Sequence, residues 1–139
     1  MNTAIFSQIN WLAVLVGTIG YFMLGALWYS FLFQKKWIAY TGVSTTDPDA
    51  KKGMAGIMIF SFILMFICSF GLAFIITKFN LHTWQLGLKL GLLTGICFSA
   101  TAISISYVYE KKPAGLHFIN GGYNLVGQII AAIIICLWR

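Results

Sequence analysis

Acid is almost missing from this chain: Asp47, Asp49 and Glu110 are the only carboxylate side chains in 139 residues. All three sit in, or at the edge of, the connections between apolar stretches. A proton-driven carrier commonly keeps a carboxylate in mid-membrane, so the sequence argues against a drug–proton antiporter of the small four-helix type. Charge of either sign is scarce, at 9% of residues against about 25% in soluble domains. With 60% of its residues apolar, the chain has far more hydrophobic surface than a water-soluble core of this size can absorb.

Reactive groups are just as sparse. The three cysteines, Cys68, Cys97 and Cys136, each lie within an apolar stretch, where a small polarisable side chain packs like a hydrophobe. Their spacing fits neither a metal site nor a disulfide framework. The two histidines, His82 and His117, fall at opposite ends of spans that must cover roughly 30 Å of hydrocarbon, too far apart to ligate one ion. No metal and no cofactor is therefore expected. Ser99, Ser104 and Ser106 have no histidine base at their depth, which argues against an intramembrane serine hydrolase. Glu110 and His117 flank one turn and are open to two readings, an acid–base pair for interfacial chemistry or the commoner interfacial ion pair. With no complete catalytic constellation, the chain reads as a non-enzyme.

What the sequence does have is four uncharged or nearly uncharged apolar stretches, Trp11 to Phe33, Gly53 to Thr77, Leu90 to Tyr109 and Pro113 to Trp138. Each is long enough for the about 20 residues that a helix needs to cross a bilayer. Backbone exposed to lipid must satisfy its own hydrogen bonds, so such crossings are helices. The expected fold is all-α, a single integral membrane domain of four antiparallel transmembrane helices with spans at about 8–34, 53–77, 86–109 and 115–138. The apolar run from Trp11 is too long for a signal-peptide core, and no basic segment precedes it, so it reads as a retained first crossing.

The net charge of +6 does not point to nucleic acid, because the basic residues lie in pairs beside the spans. Lys35, Lys36, Lys51, Lys52, Lys111 and Lys112 fall in the two connections on one side, and only Lys78, Lys89 and Arg139 on the other. By the positive-inside rule the six-lysine side is cytoplasmic and both termini point outward. Lys89 lies one turn into the third span, where its stem can snorkel to the interface. Trp28, Tyr29, Trp37 and Tyr40 fall where an interfacial aromatic cluster is expected. The first helix is expected to begin between Thr3 and Gln8 and to run on to Tyr40, with Gly42 ending it. Asp47 with Pro48 is expected to open the second helix about two turns ahead of its apolar part.

Two patterns inside the spans carry the functional argument. On the third helix Gly87, Gly91, Gly95 and Ser99 recur every four residues, a small-residue face that lets another backbone approach closely. Whether it serves the monomer, a second copy or a different membrane protein stays open at this level. On the fourth helix His117, Asn120, Asn124 and Gln128 fall on one side. An unpartnered amide out of water costs about 2 to 7 kcal/mol, so that side cannot face lipid. A close pairing of helices three and four puts Asn120 level with Ser104 or Ser106, Asn124 with Thr101, and Gln128 with Cys97 or Thr94. The stripe is then either interhelical glue or the lining of a pocket or pathway for a small polar solute.

Three segments carry a resemblance. Asn10-Trp11-Leu12-Ala13-Val14, Leu24-Gly25-Ala26-Leu27-Trp28-Tyr29-Ser30 and Phe118-Ile119-Asn120-Gly121-Gly122-Tyr123, in that order and separation, resemble a family of small bacterial membrane proteins catalogued as domain of unknown function 1761. The likeness covers nearly the whole chain. It implies a four-span bundle in a bacterial inner membrane with no established activity, and it singles out Trp28, Tyr29, Ser30, Asn120 and Tyr123. The family pattern commonly has proline after the Trp-Tyr-Ser element, where this chain has Phe31. Membrane lipids, a second copy of the chain or another membrane protein are the partners expected.

Overall fold

The computed structural model describes residues 3–138. Among the described residues every regular element is helical. Four helices are long and apolar enough to cross a membrane: span one, Trp11–Leu32; span two, Met54–Lys78; span three, Trp84–Tyr109; and span four, Ala114–Leu137.

The ends of these helices follow local chemistry. Asn10 caps span one, its Oδ1 accepting the Ala13 amide at 3.1 Å, while its Nδ2 donates to the Trp138 carbonyl at 2.6 Å. That second bond ties the start of span one to the end of span four. The first helix does not run unbroken from the expected start: Ala4–Gln8 forms a separate short helix, and Ile9 is extended between the two. At the other end, span one changes to a π-helical turn over Trp28–Leu32, where the Phe33 amide reaches back to the Trp28 carbonyl at 2.9 Å. The chain breaks at Phe33 and resumes as helix Gln34–Thr41, which Gly42 ends in the left-handed conformation at φ 69°. The departure from α geometry thus falls at the Trp-Tyr-Ser element, where Phe31 has no pyrrolidine ring to force it.

Asp47 does cap, accepting the Asp49 amide at 2.9 Å. What it opens is only a 3-10 turn, Pro48–Lys51. Gly53, at φ 73°, separates this turn from span two, so the long extramembrane start expected for the second helix is interrupted. Spans two and three end alike. Asn80 and Lys111 take positive φ, and the amides that follow them, of Leu81 and Lys112, bond the carbonyls of Ile76 and Tyr107 at 3.0 and 2.9 Å. This is the six-to-one closure of a Schellman motif.

Packing is not a closed square. Span four is central and touches spans one, two and three; span one also packs on span two, while span three packs mainly on span four. The main cluster of buried apolar side chains occupies one half of the bundle. Ile9, Ala13, Val14, Leu72, Ala73, Ile76, Leu90, Ala131, Ala132, Ile135 and Cys136 are all buried there, at the end away from the lysine-rich connections.

Candidate functional site

Glycines decide how closely the other helices approach span four. A Cβ added at Gly91 would lie 2.5 Å from the Ile129 Cα, at Gly87 2.9 Å from the Ala132 carbonyl oxygen, and at Gly95 2.8 Å from the Leu125 Cα. The small-residue face of span three is therefore spent on the monomer's own fourth helix, and it is not free to dock a partner. Span three relaxes to π geometry over Gly95–Ala100, and Ser99, next in the row, meets the fourth helix by hydrogen bonding to Gln128.

Three glycines of span four serve the opposite neighbour. The Tyr21 ring fills the space a side chain at Gly127 would need, Trp28 lies against Gly122, and Tyr40 lies against Gly115. Of the expected interfacial cluster, Trp28 and Tyr29 turn inward. Trp28 Nε1 donates to the Ile119 carbonyl at 3.0 Å, and Tyr29 meets Trp37 edge to face at 5.7 Å.

The polar stripe is brought together, with tyrosines as its partners. Asn120 Oδ1 accepts the Tyr29 hydroxyl at 2.6 Å, and its Nδ2 donates to the Tyr107 hydroxyl at 2.5 Å. Asn124 Oδ1 accepts the Tyr21 hydroxyl at 2.6 Å, while its Nδ2 donates to the Asn120 carbonyl at 2.9 Å. Gln128, 2% exposed, donates to Ser99. Tyr123 stands between Tyr21 and Tyr29 at ring separations of 5.4 and 5.2 Å, and its hydroxyl lies 3.5 Å from Met65 Sδ and from the Tyr21 carbonyl. The pairings expected from depth alone are not the ones formed. Thr94 and Thr101 bond carbonyls of their own helix, Leu90 at 3.0 Å and Cys97 at 2.7 Å. Ser106 is exposed, and Ser104 lines a separate cavity with His117. His117 leaves the stripe and packs its ring on Tyr107 at 5.4 Å. Glu110 forms no ion pair with it.

Tyr21 and Tyr107 were the residues that depth matching passed over. The available signal was chemical: a buried phenol needs a partner for its hydroxyl, and a lone tyrosine in mid-span competes with serine and threonine for any amide within reach.

Two cavities follow the network. One, about 320 Å³, is lined by Tyr21, Ser61, Leu64, Met65, Cys68, Ser99, Asn124 and Gln128. The other, about 430 Å³, lies between spans one, two and four, and it shares Ser61 and Met65 with the first. It extends to Ser30 and Met54 at the lysine-rich end. Beyond Gln128 toward the opposite end, the close-packed core begins. Among the described residues no group of histidine, cysteine or carboxylate side chains could hold a metal ion.

Four apolar helices about a tyrosine–amide network fit the class of multi-pass helical membrane proteins. The family described as protein of unknown function (DUF1761) matches residues 12–136, and the chain belongs to it. Comparisons with curated proteins and with solved structures returned no match.

Proposed function

We propose that this chain is a non-enzymatic protein of a bacterial inner membrane that binds a small polar solute in the cleft beside Asn124 and Gln128, within a self-associated bundle. The carrying observation is the asymmetry along the membrane normal: two cavities that share Ser61 and Met65 and carry polar groups in largely apolar walls run from the lysine-rich end to mid-span, and a close-packed apolar core follows. By the lysine distribution the open end faces the cytoplasm. Such a shape favours binding over free passage, since passage requires the plug of Ala131, Ala132 and Ile135 to part. Self-association is supported by the lateral opening of the cleft. Spans two and three share little packed surface, and a second copy would shield Ser61 and Ser99 from lipid. The glycine face gives no support to the alternative of a scaffold docking through it, because span four already covers that face.

Cys68 makes the proposal testable, because it lines the cleft. In a variant whose other two cysteines are serine, a membrane-impermeant thiol reagent should label Cys68 from the lysine-rich side of oriented vesicles and not from the other. Glycerol at high concentration should slow the labelling, and Ser61→Leu should block it. Labelling from neither side would mean a dry cleft and would end the solute reading.

A further inference from the structure

A further cavity lies outside the tyrosine–amide network, between spans three and four at the lysine-rich end. It measures about 520 Å³. Its rim carries Lys112, His117 and Ser104, and its floor runs along Phe118, Gly121 and Leu125 toward the membrane centre. Gly121 keeps the floor low, since only Ala100 stands within 4 Å of a Cβ built there. A second apolar depression along Ile105 and Val108 meets the first at Ser104.

Charge and shape together select the occupant. At this end six lysines face three carboxylates, and one of those carboxylates, Asp49, is already held by Lys52 at 3.0 Å. Lys112 has no carboxylate partner among the described residues. Span four starts here without a side-chain cap, so the positive end of its dipole adds to the lysine. His117 is held in place by its edge contact with Tyr107, and Ser104 offers a hydroxyl. A water-soluble anion would satisfy the rim but leave the apolar floor bare. An acyl chain would fill the floor but leave the lysine unmatched.

We propose that this groove is a binding site for an anionic phospholipid, with the phosphate at Lys112, His117 and Ser104 and one acyl chain along Phe118, Gly121 and Leu125. Basic pockets between transmembrane helices at the cytoplasmic level take such head groups. Because Tyr107 touches both His117 and Asn120, lipid occupancy borders the network without sharing its cleft.

The test is native mass spectrometry of the full chain in nonionic detergent, titrated with phosphatidylglycerol, with phosphatidylcholine of the same chains, or with inorganic phosphate. Phosphatidylglycerol should bind at least fivefold more tightly than phosphatidylcholine, from about one lysine's share of interfacial attraction. Lys112→Ala should remove that preference, and Lys36→Ala, an equal loss of charge outside the groove, should keep it. Both lysines are exposed, so both variants should fold, which circular dichroism checks. Equal binding of the two lipids, equal effects of the two substitutions, or displacement of phosphatidylglycerol by millimolar phosphate would each overturn the proposal. Cys68 labelling is independent of all three outcomes.

Discussion

The Tyr29 hydroxyl donates to Asn120 Oδ1 across 2.6 Å, joining the π-helical end of span one to the second turn of the fourth helix. Asn120 also donates to Tyr107, so one amide holds three spans. Interhelical hydrogen bonds in membranes contribute about 0.6 kcal/mol on average, whereas a buried donor left without a partner costs about 1–3 kcal/mol. Tyr29→Phe should therefore cost below about 1 kcal/mol, and Asn120→Leu, which strands two phenols, should cost roughly 2–4 kcal/mol. Reversible unfolding in mixed micelles measures both; equal losses would refute the shared-amide arrangement.

The glycines separate into two kinds. Gly91→Ala forces its new carbon against the Ile129 backbone, while Gly56 on span two has nothing within 4 Å of its Cβ position. Overpacking of this sort costs about 1–3 kcal/mol. Gly56→Ala should instead gain up to about 1 kcal/mol from helix propensity. Opposite signs in thermal unfolding are the expected outcome.

Ser69 is fully buried, and its Oγ has no hydrogen-bond partner among the described residues. Replacing it by alanine removes an unpaired hydroxyl rather than a bond. Ser69→Ala should raise stability by as much as about 1 kcal/mol, and a clear loss in the same unfolding assay would show that the hydroxyl has a partner in the membrane.

Lys111 holds φ 54° at the end of span three. A left-handed residue with a Cβ is strained by about 1–2 kcal/mol, offset in part by the greater unfolded-chain freedom of glycine, roughly 0.5–1 kcal/mol. Lys111→Gly should thus be slightly stabilising and Lys111→Val clearly destabilising. Melting temperatures of the two variants, compared with the parent, check the sign.

The spans and their class were legible because lipid imposes one demand on every residue in turn, and Leu, Ile and Phe answer it without reference to neighbours. Gly42 was legible for a similar reason, since its left-handed conformation is a local matter. Partner choice was not. Asn120 was visibly in need of a bond, but its partners lie 91 and 13 residues away in sequence, and the tyrosines reach it from depths that serine cannot. The glycine row announced a contact without saying with what; only the register against Ile129 and Leu125 made it intramolecular. Nor did any residue announce the 3-10 turn that replaced the expected start of span two, where Gly53 lets the backbone reverse its twist.

The two π-helical turns, Trp28–Leu32 and Gly95–Ala100, act as phase shifters. Each accommodates a surplus residue, and one residue is about 100° of helical rotation. Deleting a single position within 95–100 would leave the apolar profile of span three almost unaltered. It would remove the surplus residue and let the segment close to α geometry, whereas a deletion in the α-helical turns before it would swing Ser104 and Tyr107 about 100° around the helix axis, away from His117 and Asn120. Residue count along the span is part of the molecule's information, and a hydropathy profile is blind to it.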